Sequence, residues 1–162
     1  MSDRIDPEEE RWFPNLLKQG YRKTSEPTPK YNCIAYAFGF EDQWWEPGNN
    51  EPWHIWPDGL TSDQDFENYV MAAKSQGFVE CMDEMLESGF EKIALYIAQN
   101  GTGSHAAKQL PNGKWSSKLG ESADIEHNTL QALEGQFGYI GYWKVKQIMK
   151  RPIKHAKNRG KR

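Results

Sequence analysis

The stretch that decides the fold is "SHAAKQLPNGKWSSKLG", residues 104–120. Two strand-like runs flank an Asn-Gly dipeptide, which is the strongest short-range signal for a β-hairpin. Counting back from a two-residue turn predicts that Ser116 and Lys118 lie on the same face as His105, because directly opposed residues of a sheet share a face.

The segments around this hairpin predict helices first and an antiparallel sheet second, which is an α+β pattern. In "KYNCIAYAFGF" (30–40), a short helix is expected from about residue 33 to 39, and "TSDQDFENYVMAAKSQG" (61–77) is the clearest helix. "EKIALYIAQ" (91–99) and "FGYIGYWKVKQI" (137–148) are expected to form strands.

The length of 162 residues suits one domain, which we place at residues 1–150. From Lys144 onward the chain has nine basic residues and no acid, whereas the rest has 11 basic and 23 acidic residues, a balance of −12. A basic tail over residues 151–162 could bind nucleic acid or an acidic membrane surface. A disordered, solvated end is the favoured interpretation, because the tail lacks the aromatic residues that single-strand binders use.

The chain has no apolar run of about 20 residues that would span a membrane. Its acidic N-terminus has no signal-peptide pattern, so a cytoplasmic location is expected, with signal-independent export as the alternative. No zinc-binding motif, phosphate-binding loop or dinucleotide fingerprint is present, so neither a metal nor a cofactor is expected.

Cys33 stands where the predicted short helix begins. Backbone N–H groups at a helix N-terminus lower the pKa of a thiol and can stabilise an oxyanion during acyl transfer. His105 opens the first strand of the hairpin, from which an imidazole could reach a helix terminus across a cleft. The two residues therefore form a candidate Cys–His pair, although each is also common as a packing residue.

The order of "NCIAYAF" and the strand-opening His105 resembles the papain-like superfamily of cysteine peptidases and amidases, with the NlpC-type endopeptidases as the nearest analogue. The resemblance implies a papain-like fold with Cys33 as nucleophile and His105 as general base. The chain also resembles an uncharacterised family of small bacterial proteins that share "YNCIAYA", "EKIALY", "HAAKQL", "WSSKLG" and "DIEH". That likeness covers residues 30 to 138 and implies no established activity.

Papain-like sites usually orient the histidine with a polar residue from the next strand, and neither Ser116 nor Lys118 is of the expected type. His127 is the predicted third catalytic residue, since "ADIEHNTL" could fold back toward the hairpin. Asp124 and Glu126 are the alternatives.

Four tryptophans in "WWEPGNNEPWHIWP" could line a cleft and grip a sugar or a peptide. The alternative is a structural flap whose rings pack on the sheet. Asn32, which precedes the cysteine, and Lys118 complete the predicted substrate-binding set. That set comprises Asn32, Trp44, Trp45, Trp53, Trp56 and Lys118.

Together these features predict a cysteine hydrolase or acyltransferase that acts on an amide bond of a peptide, a peptidoglycan or a protein side chain. The main rival is a non-catalytic module on the same fold that binds a protein partner. A third possibility is a nucleic-acid-associated protein that works through the basic tail.

Overall fold

The structure, a computed structural model, describes residues 2–48, 51–136 and 142–153. Its helices are α1 (Pro7–Glu10), α2 (Leu16–Gln19), α3 (Cys33–Phe38), α4 (Phe66–Ser75) and the 3-10 helix η1 (Leu130–Leu133). Its strands are β1 (Tyr21–Lys23), β2 (Trp44–Trp45), β3 (His54–Ile55), β4 (Val79–Cys81), β5 (Phe90–Ala98), β6 (Gly103–Gln109), β7 (Trp115–Lys118), β8 (Asp124–His127), β9 (Gly135–Gln136) and β10 (Tyr142–Pro152).

One antiparallel sheet organises the chain. Its strands follow the order β1-β8-β7-β6-β5-β10-β4, and the short β9 also pairs with β10. β2 and β3 form a separate parallel pair. The predicted α+β class is therefore confirmed. Residues 137–141 of the predicted last strand lie outside the described residues, whereas residues 142–148 form part of β10.

Both faces of the sheet are buried, and alternate residues of the central β5 divide between them. Ile93 and Leu95 face a layer that contains α3 and α4. Ala94 and Tyr96 face the opposite layer, which contains residues from α2 and η1. We call these the α3 layer and the η1 layer. A strand buried on both faces explains why "IALYI" reads as an almost continuous apolar run.

Helix α3 begins at Cys33, as predicted, because Asn32 caps it. The Asn32 Oδ1 atom accepts the backbone N–H of Ala35 at 3.2 Å and that of Trp45 at 3.1 Å, and its amide donates to the Trp45 carbonyl at 2.8 Å. The helix ends at Gly39, whose φ of 102° lies in the left-handed region that glycine adopts without strain. One side chain thus starts α3 and ties it to β2.

The hairpin is present, but its predicted register is wrong by one residue. The backbone of Leu110 bonds to that of Lys114 at 2.8 Å, and Gly113 has a φ of 87°, so the loop is Pro111, Asn112 and Gly113. Such three-residue loops end in a left-handed residue, which glycine supplies. Lys108 therefore pairs with Ser116, and Gln109 with Trp115.

A one-residue shift moves every side chain of a strand to the opposite face. Ser116 and Lys118 consequently lie on the face of Lys108 and Ala106, in the α3 layer, and not on the face of His105. The predicted placement of these two residues beside His105 is wrong for this reason.

The predicted tail begins inside β10, since Arg151 and Pro152 are strand residues; residues 154–162 lie outside the described part of the chain. The Arg151 guanidinium donates to the carbonyl of Phe38, the last residue of α3, at 2.9 Å. It also donates to the carbonyl of Gln76, which directly follows α4, at 2.8 Å. It also bonds Glu91 at 3.1 Å and covers the ring of Phe78 at 4.2 Å. Arg151 therefore fastens both helices to the sheet.

None of the helices in the described ranges is long and apolar enough to cross a membrane.

Replacing Arg151 with alanine should lower the free energy of unfolding by about 2–4 kcal/mol, because three charge-assisted hydrogen bonds and a cation–π contact are lost. Arg151→Lys should recover less than half of this loss, because a lysine cannot bond three partners in the same plane. Urea denaturation followed by circular dichroism measures both values.

Arg22→Ala is the matched control. Arg22 forms one exposed ion pair with Glu126 at 3.0 Å, and its loss should cost about 1 kcal/mol or less. Equal effects at Arg22 and Arg151 would contradict the anchoring role.

Candidate functional site

Cys33 is half-buried at the start of α3 and packs against the α3 layer. Burial raises the pKa of its thiol to about 11, and the nearby Glu46 carboxylate acts in the same direction. Backbone hydrogen bonds from Ala106 and Ile34 to the sulfur oppose this shift without overcoming it. The thiol is therefore protonated at neutral pH, whereas a nucleophile requires the thiolate.

His105 lies on the other side of the sheet. Its ring stacks on Trp143 with centroids 5.2 Å apart and meets Tyr96 edge-on at 5.2 Å, and 2% of the residue is exposed. Burial lowers the pKa of the imidazole to about 3, with a further contribution from His127. Its Nε2 atom is buried without a hydrogen-bond partner among the described residues.

The predicted catalytic pair of Cys33 and His105 is therefore not assembled. Ala106 belongs to the same layer as Cys33, and its chain neighbour His105 points the opposite way, as successive strand residues do. The sheet itself separates the thiol from the imidazole. No proton transfer between them is possible in this arrangement.

His127 does not orient His105 either. Its Nδ1 donates to the Thr129 carbonyl at 2.8 Å, so its Nε2 must accept the hydroxyl of Ser117, also at 2.8 Å. Both ring nitrogens are thus used in a fully buried contact, and burial lowers the pKa of His127 to about 4. The predicted hydrogen bond from His127 to the His105 ring is therefore not formed.

The two alternative residues lie elsewhere as well. On β8, Asp124 pairs with Lys118 of β7, and Glu126 pairs with Ser116 of β7. Both acidic residues therefore lie on the face of the sheet that His105 does not occupy. The Asp124 carboxylate accepts the hydroxyl of Tyr31 at 2.8 Å.

Lys118 has a structural role in place of the predicted substrate contact. Its side chain is fully buried, and its ammonium donates to the carbonyls of Thr28, at 2.7 Å, and Ser122. These bonds hold two loops together. Asn32 is similarly committed, because its amide bonds Ala35 and Trp45 as the cap of α3.

The four tryptophans divide into two pairs. Trp45 is buried against Phe38, and Trp56 packs edge-on against Trp45 and Tyr69, so these two form the structural flap. Trp44 and Trp53 instead belong to an aromatic row on the surface side. Trp53 is 63% exposed and meets the ring of His54, which stacks on Trp44.

A pocket of about 180 Å³ opens beside the thiol of Cys33. It has room for about six water molecules at ~30 Å³ each. Its walls come from the start of α3, from β2, from α4 and its approach, and from the start of β6. The described lining residues are Asn32, Cys33, Ile34, Trp45, Glu46, Gln64, Tyr69, Gly103 and Ser104.

Gly103 allows this pocket to form. A Cβ atom at this position would lie 2.3 Å from Cδ1 of the Tyr69 ring, so any larger residue would displace the tyrosine. The close approach of the tyrosine ring to β6 brings its hydroxyl near Cys33 and Glu46, and burial raises the pKa of Tyr69.

The polar groups of the pocket form an acceptor-rich set with one charge. Glu46 supplies a carboxylate whose Oε1 accepts the indole N–H of Trp44 at 3.0 Å. The Ser104 hydroxyl is buried and has no hydrogen-bond partner within the described residues. Sequence reasoning missed Glu46, Gln64, Tyr69 and Ser104, and the glycine-rich "NGTGS" before His105 was the signal closest to them.

No cluster of three or more metal-ligating His, Cys, Asp or Glu side chains occurs in the part of the chain that the structure describes. The arrangement beside Cys33 thus offers hydrogen-bond acceptors and a negative charge in a small pocket, with a neutral thiol at its edge.

A family model described as "Domain of unknown function (DUF7689)" matches residues 22–150. These residues include the whole pocket and all the sheet strands, apart from the first residue of β1 and the last two residues of β10. Comparison with curated proteins gave no match, and comparison with solved structures gave none.

Cys33 should react slowly with iodoacetamide at pH 7. A pKa of about 11 leaves roughly one thiol in ten thousand ionised, against a few per cent for a free cysteine. We expect alkylation of Cys33 in the folded protein to be at least 100-fold slower than in urea, and mass spectrometry of the labelled peptides measures both rates. Cys81 in the same sample serves as the internal control for reagent activity. Fast labelling of Cys33 at pH 6–7 would show an activated thiol.

The two buried histidines should make the protein acid-sensitive. Below the ordinary pKa of about 6.5, the unfolded chain binds protons at His105 and His127 that the folded chain, with pKa values of about 3 and 4, excludes. The two histidines therefore do not lower the free energy of unfolding above pH 6.5, and they lower it progressively as the pH decreases toward 4. Each histidine contributes up to about 1.4 kcal/mol per pH unit to this fall.

His105→Phe tests this assignment. The phenyl ring keeps the stacking on Trp143 and removes a buried nitrogen that has no partner among the described residues, so stability at pH 7.5 should not decrease. The slope of unfolding free energy against pH between 4.5 and 6 should drop by about 1.4 kcal/mol per unit. An unchanged slope would mean that His105 is not buried in its neutral form.

Proposed function

The chain belongs to the DUF7689 family, and we propose that its domain is a non-catalytic binding module that holds a lysine side chain of a partner protein in the pocket beside Cys33. The observation that carries this proposal is the hydroxyl of Ser104, a residue that lines the pocket, because this hydroxyl is buried without a hydrogen-bond partner among the described residues. Burying an unpaired hydroxyl is costly, and a ligand donor would remove that cost.

The charge of the pocket selects the class of ligand. Glu46 is charged, and none of the other described lining residues is acidic or basic. A carboxylate in a partly enclosed site attracts a cation more strongly than it would in open water. An ammonium group, which has three donors and no acceptor, matches the acceptor oxygens of Glu46, Ser104 and Tyr69.

The volume favours the end of a flexible side chain. About 180 Å³ accommodates an ammonium and part of an aliphatic stem, with the indole of Trp45 and the side chain of Ile34 as apolar walls. A lysine side chain combines these two parts, whereas a folded peptide backbone would not enter.

The aromatic row extends the site toward a protein surface. It runs from the exposed Trp53 through His54 to Trp44, whose indole N–H bonds Glu46 in the pocket wall. Exposed tryptophans are the residues that most often dominate protein–protein binding energy. We therefore propose that the aromatic row contacts the partner residues on either side of the bound lysine.

A papain-like architecture is part of this proposal. Its support is that α3 begins at a cysteine and packs on β6, which is the arrangement that the resemblance implies. The amide-hydrolase function expected from the same resemblance is not the function we propose, since the thiol is protonated and the sheet separates it from His105.

The test uses two small probes and NMR spectroscopy. Nα-acetyl-lysine methylamide should shift the backbone amide signals of Ser104 and Glu46 saturably, with a Kd in the millimolar range, equivalent to about 4 kcal/mol. Nα-acetyl-norleucine methylamide, which lacks the ammonium, should cause no saturable shift.

Glu46→Gln removes the charge while it keeps the acceptor for Trp44, and it should weaken lysine binding at least tenfold. Glu67→Gln, at an exposed carboxylate in the first turn of α4, is the matched control and should leave binding unchanged. Equal binding of the two probes, or equal binding by the wild type and Glu46→Gln, would refute the proposal.

A further inference from the structure

A second surface, remote from the pocket of Cys33, collects exposed apolar side chains. Met82 is 99% exposed and Met85 is 70% exposed, whereas methionine is usually buried. Three further apolar side chains are exposed: Val79 on β4, Leu86 on the loop after β4, and Ile153 just beyond the end of β10. Contiguous apolar patches of this kind mark interaction sites.

Two of these side chains, Leu86 and Ile153, line a groove of about 400 Å³. Its apolar walls are Leu86, Phe90, Leu110, Pro111 and Ile153. The groove thus lies between the loop after β4, the start of β5 and the β6–β7 turn. It shares no lining residue with the pocket beside Cys33.

Hydrogen bonds hold the loop in place over the sheet. The Asp83 carboxylate accepts the backbone N–H of Met85 at 3.0 Å and the ammonium of Lys92 at 3.0 Å. The Gln109 amide donates to the carbonyl of Glu84 at 2.8 Å, which ties the loop to the end of β6. The groove is therefore a formed feature of the fold, and the exposed Met82 and Met85 belong to the loop that supplies one of its sides.

The outer side of this surface is acidic. Residues 79–91 contain five carboxylates and no lysine or arginine. One of the cations that pair with them lies beneath: the side chain of Asp83 is 60% exposed, whereas that of its partner Lys92 is 1% exposed. Lys74, which pairs with Glu80, is 41% exposed. An approaching partner meets the carboxylates first.

We propose that this groove binds an amphipathic helix of a partner protein, with its apolar face in the groove and lysine or arginine residues beside it. Apolar grooves accept such helices through side chains spaced three or four residues apart. The acidic rim selects a basic helix over an acidic one. This proposal is independent of the proposed function of the Cys33 pocket.

The test uses synthetic helices of about 18 residues, long enough to be helical when bound. One combines a leucine face with lysines, and its matched control combines the same leucine face with glutamates. Isothermal titration calorimetry with the full chain should give a micromolar Kd for the leucine–lysine helix and at least tenfold weaker binding for the leucine–glutamate helix. Equal affinity for both helices would overturn the charge selection.

Leu86→Ser should weaken binding of the leucine–lysine helix at least tenfold. Leu17→Ser, at an exposed leucine on α2, is the matched control and should leave the affinity unchanged. Both side chains are exposed, so melting temperatures should stay near that of the wild type. Equal affinities for the Leu86→Ser variant and the wild type would overturn the assignment to the groove.

Two further measurements test other occupants. A concentration-dependent dimer in sedimentation analysis that Leu86→Ser dissociates would mean that a second copy fills the groove, and would overturn the proposal. Lys157→Glu combined with Arg159→Glu in the full chain should leave helix binding unchanged. At least tenfold tighter binding by that variant would mean that the chain's own basic end competes for the groove, which would also overturn the proposal.

Discussion

The three-residue loop Pro111–Asn112–Gly113 determines which side chains of β7 share a face of the sheet with those of β6. Gly113 takes a left-handed conformation, and the strands resume with Lys108 opposite Ser116. Because the side-chain period of a strand is two, no intermediate register exists in which Ser116 or Lys118 partly approaches the face of His105. The backbone conformation of one glycine thus decides which layer each side chain of β7 enters, whereas His105 lies on the η1 side with Tyr96 of the neighbouring β5.

Two different environments follow from this division. On the η1 side, His105 and His127 are buried, and their depressed pKa values keep both rings neutral at physiological pH. On the α3 side, Cys33 meets a small acceptor-rich pocket with Glu46 and Ser104 in its wall. The thiol of Cys33 lies on the α3 side, and the imidazoles of His105 and His127 lie on the η1 side. Recognition of a cationic side chain is the chemistry that we propose for the α3 side.

Local patterns in the sequence predicted the elements that depend on local physics. The start of α3 at Cys33, its stop at Gly39 and the existence of the hairpin all follow from residue preferences within a few positions. The hairpin register did not follow, because Asn-Gly fits a two-residue turn and also the end of a three-residue loop. Choosing between them requires the packing of the whole sheet, which a local pattern does not contain.

The pocket was beyond local reasoning for another reason. Its polar groups come from segments far apart in sequence, with Glu46 after β2, Tyr69 on α4 and Ser104 on β6. They meet because Gly103 lets the Tyr69 ring lie against β6, a contact between distant segments that the glycine-rich stretch alone does not specify. Arg151 shows the same limit, since a basic run predicted a tail where the fold uses one arginine to anchor α3 and α4.

The central claim is that Cys33 and His105 occupy opposite faces of the sheet, and nuclear Overhauser effects test it most directly. The account predicts cross-peaks from the ring protons of His105 to those of Trp143 and Tyr96, and from the β protons of Cys33 to Ala106. Cross-peaks between the His105 ring and the β protons of Cys33 would place both groups on one face. That result would contradict the assignment of the two groups to opposite faces and restore a catalytic pair.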